Sequence, residues 1–426
     1  MFRGIPEPVP ASSAAAAALK CRSASPVFSA AATIADQFPH TVRRFQIIPA
    51  VPQSDIHGRI SAGLAQRFQA ISLCLDRLLA GQTLPPRLQC LTSGAAGAEL
   101  CKRLQPLQNG TPGRISWLWF ASTDLRIDAA GNITVLDHCC SLPNGLELLQ
   151  PEVSAAAWVR QQLFPDWAEL SQRRQGTVLL DSGCSGRTWS ASQFLANCLQ
   201  VPVVSGRDLF FDRGTLYRNT GIGSAEKHSR VTTVIRRIED DCLDPDCLRA
   251  DSLLGVPGLI RGWKTAAVQL LSPPGTGLVD LRHFARLVPQ MIRSLLGETP
   301  LLESTAALDL TDRAQLHHLL THASDYLIRT NDPAHPQRPL NGREAHPLDW
   351  QETLRKIRRN PLEWTARPLL EESATGLSIR VFSSQSTCQR LLPVALTTQP
   401  GPDGGIPLFP VPALTACTQL SDLQLS

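Results

Sequence analysis

Six carboxylates and three arginines crowd a single stretch, Val231–Leu259 (VTTVIRRIEDDCLDPDCLRADSLLGVPGL). Guanidinium groups grip phosphates and carboxylates through paired N–H donors, and clustered carboxylates can hold a hard cation such as magnesium. The β-branched run Val231–Ile235 predicts a buried strand. Ligands of α/β sheets gather at strand ends, and Arg236 and Arg237 leave the end of this one. These two are the first candidates for catalytic anion contacts, with Asp240 and Asp241 as candidate metal ligands. A solvated loop with internal ion pairs, one arginine bonded to Asp240 or Asp241, explains the same residues equally well. Asp244-Pro245 starts a turn, and Asp251-Ser252 has the character of an N-cap before LLGVPGL re-enters a core.

Other candidate chemistry is thinner. Asp181–Thr188 (DSGCSGRT) follows a predicted strand, but lacks the first glycine and the lysine of a phosphate-binding loop. An ordinary turn before a helix is the better reading. His318 and His322 share a helix face, a zinc-like spacing, but without a glutamate between them they read as a structural face. No G-x-S-x-G elbow is present for a serine hydrolase. The twelve cysteines form no C-x-x-C pair, so reduced, buried thiols in a cytoplasmic protein are expected.

These residues need elements to hold them. Leu64, Phe68, Ile71, Leu75, Leu78 and Leu79 recur at helical spacing. Strands are predicted over Ile115–Ala121 and Ile133–Leu136, with a hairpin turn at Asp128–Asn132, and over Val178–Leu180, Val201–Val204, Thr215–Tyr217 and Tyr326–Arg329. Helices are predicted over Ala155–Leu170, Ser190–Leu199, Leu281–Leu296 (closed by Gly297), Ala314–Thr321 and Pro347–Arg359. The alternation of short strands and helices predicts an α+β or α/β fold. Residues 1–45, rich in Ala, Ser and Pro, are expected to be a disordered leader, and 393–426 an irregular Pro-rich tail.

A length of 426 residues suits two or three lobes, and 43% hydrophobic with 18% charged residues is a globular composition. A net charge of +4 and an aromatic content of 5% argue against nucleic-acid binding. No apolar run reaches membrane-spanning length.

RRIEDDCLDPDCLRADSLLGVPGL resembles a signature of the circularly permuted ATP-grasp proteins, type 2 branch. Colinear segments resemble the same family: Gly63–Leu88 its helical Gln-Arg segment, Ser122–Gly145 its Asp-Leu-hairpin-Pro-x-Gly segment, Thr177–Gly223 its strand–loop–helix–strand unit. Met291–Leu302, Ser324–Thr330 and Asn360–Phe382 follow in order, so the likeness spans about residues 60–385. The resemblance implies a multi-lobed, circularly permuted α+β fold with a core over 46–300 and a second lobe over 301–392. It implies ATP and Mg2+ as cofactors and a carboxylate–amine ligase that passes through an acyl phosphate, with carboxylate and amine substrates. It also suggests Arg329, Arg380, Arg207 and Asp208 as nucleotide contacts and Asp137 as a further metal ligand. Plainer roles stand beside these: surface arginines at strand ends for Arg329 and Arg380, and turn residues for Asp208 and Asp137. Two departures matter. Arg187 and Ala191 stand where the family commonly carries two glutamates, and an arginine repels a cation. These losses suggest a degenerate site or, alternatively, a catalytically inactive relative that acts as a partner or regulator of an active paralogue.

Overall fold

The computed structural model describes residues 53–92, 102, 104–108, 115–128, 130–149, 153–167, 176–183, 188–220, 227–331, 339–369, 377–385, 389–398 and 408–411. The leader expected over 1–45 lies outside them. Helix α1 (Gln53–Leu79) presents Ile56, Ile60, Leu64, Phe68, Ile71, Leu75 and Leu78 along one stripe, and all are buried. Strands β1 (Phe120–Ile127) and β2 (Ile133–Cys139) then form an antiparallel hairpin. Its turn closes as the sequence predicts: Asp128 Oδ1 accepts the Asn132 N–H at 2.8 Å, and Gly131 supplies φ +78°. The strand itself starts later than the predicted Ile115, because the Trp117–Trp119 segment forms a turn.

Helix α2 (Val153–Leu163) leads to the first parallel strand, β3 (Thr177–Asp181), which is buried along its whole length. Helix α3 (Trp189–Leu199) returns the chain to β4 (Val203–Val204). A three-stranded antiparallel excursion follows: β5 (Leu209–Asp212), β6 (Thr215–Asn219) and β7 (His228–Val231). Strand β8 (Thr233–Arg237) then enters beside β3, and helix α4 (Leu259–Lys264) precedes β9 (Gln269–Leu271). The order β4-β3-β8-β9 is a four-stranded parallel sheet. Its central strands, β3 and β8, are buried at every residue because both faces are covered.

The single helix predicted over Leu281–Leu296 is broken. It becomes α5 (Arg282–Ala285), α6 (Val288–Met291) and a π turn at Ile292–Leu296. Pro289 has no N–H to give the Ala285 carbonyl and its ring crowds that carbonyl, so the first helix cannot run on. Gly297, at φ +71°, closes the segment as predicted.

Strand β10 (Glu303–Ser304) joins β2 in parallel, and a compact lobe follows: β11 (Leu308–Asp309), α7 (Arg313–Thr321), β12 (Tyr326–Thr330), β13 (Leu340–Asn341), α8 (Pro347–Arg359) and β14 (Trp364–Pro368). Its sheet runs β11-β14-β12-β13. Leu319, Ile328, Ile357, Trp364 and Ala366 make its own small core.

The chain then returns to the first sheet through β15 (Leu377–Gln385), β16 (Gln389–Thr398) and β17 (Leu408–Val411), giving the order β10-β2-β1-β15-β16-β17. The small lobe thus lies between β10 and β15 in sequence, and the described residues 393–398 and 408–411 belong to β16 and to the edge strand β17. Pro393 is tolerated because it sits where the β15–β16 register shifts, between the pairs Val381↔Ala395 and Ser383↔Leu391. No described helix is long and apolar enough to cross a membrane.

Candidate functional site

Strand alternation aims the site. On β12 and β14 the residues Tyr326, Ile328, Trp364 and Ala366 face the small core, so Arg329, Thr365 and Arg367 must face away from it. That opposite face looks toward β2, and a cleft opens between the two sheets. Asp137, Arg282, Arg286, Ser304, Arg329 and Arg367 line it, with Arg67 beneath.

Asp137 is the cleft's central carboxylate. Its Oδ2 accepts a 3.0 Å hydrogen bond from Arg329 Nη1 and lies 3.6 Å from Arg282 Nε. Burial alone would raise this acid, yet Arg282, Arg329 and Arg367 hold it down at about 2. Arg286 donates to Asp309 at the outer rim. Burial and then the neighbouring Arg329 lower Arg367 to about 10. Its Nε is shut away from solvent with no hydrogen-bond partner. Five guanidiniums therefore meet only two carboxylates, Asp137 and Asp309, which is an anion site by charge.

Arg67 lies on α1 and is spent internally. Its Nε donates to His138 Nε2 at 3.2 Å, Nη1 to the Leu302 carbonyl at 2.9 Å and Nη2 to Ser304 Oγ at 2.7 Å. Because arginine only donates, His138 Nε2 must be the bare nitrogen and Nδ1 carries the proton toward Thr123 Oγ1, 3.0 Å away. Burial, then Arg67, pushes His138 down to about 3, so it is neutral. The preceding residue, Gln66, binds Glu298, the Thr299 carbonyl and the Leu301 N–H. The Gln66-Arg67 pair thus clamps the 298–304 segment that leads into the cleft.

The sequence-selected residues fall into separate places. Asp137 and Arg329, which stand 192 positions apart, come together in the cleft. Arg380 lies nearby on β15, opposite Asp124 of β1, and grips both Asp124 oxygens at 2.7 and 2.8 Å and Asn144 Oδ1 at 2.7 Å. Although burial opposes it, the Asp124 carboxylate raises this arginine's pKa. Arg236 is elsewhere and fully buried. It donates to the carbonyls of Ser272 and Ile238 and to Thr276 Oγ1, each at 2.6 Å, and pairs with Asp240 at 2.7 Å. Its placement is that of an internal tie rather than a ligand contact. Arg237 points to the other face of β8, where Nε reaches Ser192 Oγ at 3.2 Å and both terminal nitrogens are buried without partners.

Asp240 and Asp241 take the ion-pair reading. Asp240 Oδ2 accepts the N–H groups of Gly275 and Gly277 at 2.8 and 3.1 Å, and Asp241 pairs with exposed Arg249 at 3.2 Å. Asp244 staples the same loop by accepting from Gly258 and Ile260. Arg207 is exposed, and Asp208 closes a capping box with Ser205. Ala191 is buried in α3, and Arg187 lies outside the described residues.

Sequence reasoning missed Asp124, Arg282, Arg286 and Arg367. The four-residue spacing of Arg282 and Arg286 on one helix face was a usable signal. The alternation that puts Arg367 beside Arg329 needed the strand register.

By charge this donor set suits a phosphate anion rather than a magnesium ion. Magnesium demands about six oxygens in near-octahedral order. Both oxygens of Asp124 are taken by Arg380, and Asp137 sits among three guanidiniums. Among the described residues no group of three His, Cys, Asp or Glu side chains could hold a metal ion.

Known proteins are similar to much of this sequence. The model of the family described as circularly permuted ATP-grasp type 2 matches residues 148–398, more than half of the chain. An uncharacterized protein of Synechocystis sp. is 28% identical over 365 residues, 79% of this chain and 73% of its own. One of Mycobacterium leprae is 26% identical over 356 residues, 78% of this chain and 62% of its own. A longer Mycobacterium tuberculosis protein is 29% identical over 219 residues, 51% of this chain and 24% of its own. The chain thus spans less than two thirds of these mycobacterial relatives.

Proposed function

Because the chain belongs to the circularly permuted ATP-grasp type 2 family, for which ATP-dependent ligase chemistry is the characteristic activity, we propose that it is an ATP-dependent carboxylate–amine ligase of peptide type. The observation that carries this reading is the cleft between β2 and β12–β14, where five arginines outnumber the acids. Bound ATP would supply the phosphoryl group that activates a carboxylate. The chain's own residues have the remaining tasks. Arg329 and Arg367 hold the phosphates from the small lobe, and Arg282 of α5 and Arg286 just after it do so from the other side. Asp137 keeps the Arg329 and Arg282 side chains in place, and Arg380 is fixed by Asp124 at the neighbouring strand. Such fixed cations stabilise charge that develops on transferring oxygens. An amine that attacks an acyl phosphate is expected as the second substrate.

A second reading has its own observation. Ala191 stands where a glutamate is common in the family, and its side chain is buried. On this reading the protein binds nucleotide without turning it over and serves an active paralogue. One pair of measurements separates the two. ATP should raise the melting temperature through binding the native state, and Arg329→Ala with Arg367→Ala should abolish the rise. ADP release with a mixture of amino acids as carboxylate and amine donors marks the ligase. Binding without ADP release marks the inactive partner. An unchanged melting temperature at millimolar ATP would refute both.

A further inference from the structure

We propose that the cleft binds its triphosphate free of any divalent cation, with arginines carrying out the neutralisation that magnesium performs elsewhere. The inference rests on the nucleotide reading above and names the ionic form of that ligand.

A triphosphate in water brings about four negative charges into a site, and these must be met by cations if the ligand is to leave solvent. A magnesium ion held with the phosphates takes waters and phosphate oxygens into its shell, and the protein's share is one or two carboxylate oxygens. Each described acid near the cleft already faces at least one guanidinium. Asp124 faces Arg380 with both oxygens. Asp137 Oδ2 faces Arg329 and Arg282. Asp309 accepts from Arg286 and from both the N–H and the hydroxyl of Thr311. A cation brought beside Asp137 would stand among the same guanidiniums and be repelled by them.

The cations have the opposite problem. As charges, Arg329, Arg367, Arg282 and Arg286 meet two carboxylates, although Arg282 and Arg286 also donate to the Thr330 and His283 carbonyls, and Arg367 keeps one sequestered N–H with no partner. Burial and crowding by Arg329 and Arg282 both disfavour its charge, and an anion entering the cleft relieves the crowding. Guanidiniums also match phosphate geometry with paired donors, which a point cation cannot do. The lowest-energy ligand for such a cleft is the bare polyanion. The Mg–triphosphate complex brings two positive charges too many.

Isothermal titration of the full chain tests this with two probes, ATP and inorganic tripolyphosphate, each in EDTA and in excess magnesium. We expect both probes to bind in EDTA, with at least tenfold weaker affinity in magnesium. Arg329→Ala and, separately, the milder Arg367→Gln should each weaken binding in EDTA by tenfold or more. Arg249→Ala, which removes an exposed arginine from the distant Asp241 pair, should leave it unchanged. Circular dichroism of each variant confirms that it is folded. Binding that needs magnesium overturns the inference and leaves the nucleotide reading standing. Heat from neither probe under either condition overturns both.

Discussion

Positions 236 and 237 carry the same side chain into opposite circumstances. Arg236 satisfies three acceptors and an acid, while Arg237 ends in two buried nitrogens without partners. Removing one member of a buried, bonded set strands the others and costs about 3–5 kcal/mol. Arg236→Met should therefore lower unfolding free energy by that amount in urea titrations. Arg237→Met removes a charge that has little to lose, and its cost should stay below about 1 kcal/mol. A larger loss in Arg237→Met than in Arg236→Met would contradict the assignment. Sequence alone could not order the two, because adjacent strand residues look identical until the two faces of the sheet are known. Asp137 and Arg329 were legible as polar residues on recognisable segments. Arg282 and Arg367 were not, because their role depends on which strands and helices meet across the cleft.

At the scale of elements, the charged stretch after β8 is a brace. Asp240 holds the Gly275–Gly277 turn, Asp244 holds the start of α4, and Ser252 Oγ bonds the Cys242 carbonyl at 2.7 Å. Gly255 threads between these anchors so closely that a Cβ would lie 2.2 Å from the Cys242 carbonyl oxygen and 2.4 Å from that of Leu243. Backbone atoms cannot step aside as a flexible side chain can, so Gly255→Ala should destabilise by about 1–3 kcal/mol. Thermal denaturation checks this, with Gly81→Ala, where space is open but φ is +65°, as a strain-only comparison. The Leu-Gly-Val-Pro-Gly spacing was visible in the sequence. That its acids face backbone N–H groups was not, since a cluster of aspartates has the same composition whether it holds metal or turns.

For the molecule as a whole, two buried groups oppose each other as pH changes. Burial raises Asp280 to about 7, against the three donors from Cys140 and Ser141 that favour its charge. The folded state thus holds its proton longer than the unfolded chain does. That contribution is fully present below about pH 4 and is lost as pH rises toward 7. His138, lowered to about 3 by burial and then Arg67, works the other way. Its contribution is present above about pH 6.5 and is lost as pH falls toward 3. Between about pH 4.5 and 6.5 the two slopes, each near 1.4 kcal/mol per unit, largely cancel. Urea midpoints of the natural protein should be nearly flat across that window. Asp280→Asn should become more stable as pH rises through it, and His138→Gln less stable. Parallel curves for the two variants would refute the assignment.

The six-stranded sheet has one more consequence. Its order puts β1 between β2 and β15, so the strands at its middle come from opposite ends of the chain. The family match begins at residue 148, after β1 and β2 have already been made. A gene fragment cut at that point would encode β15 with its inner flank bare, a row of unmet N–H and C=O groups of the kind that seeds intermolecular pairing. Expressed alone, 148–398 should collect in the pellet. Co-expression of 53–147 as a separate polypeptide should return part of it to the supernatant.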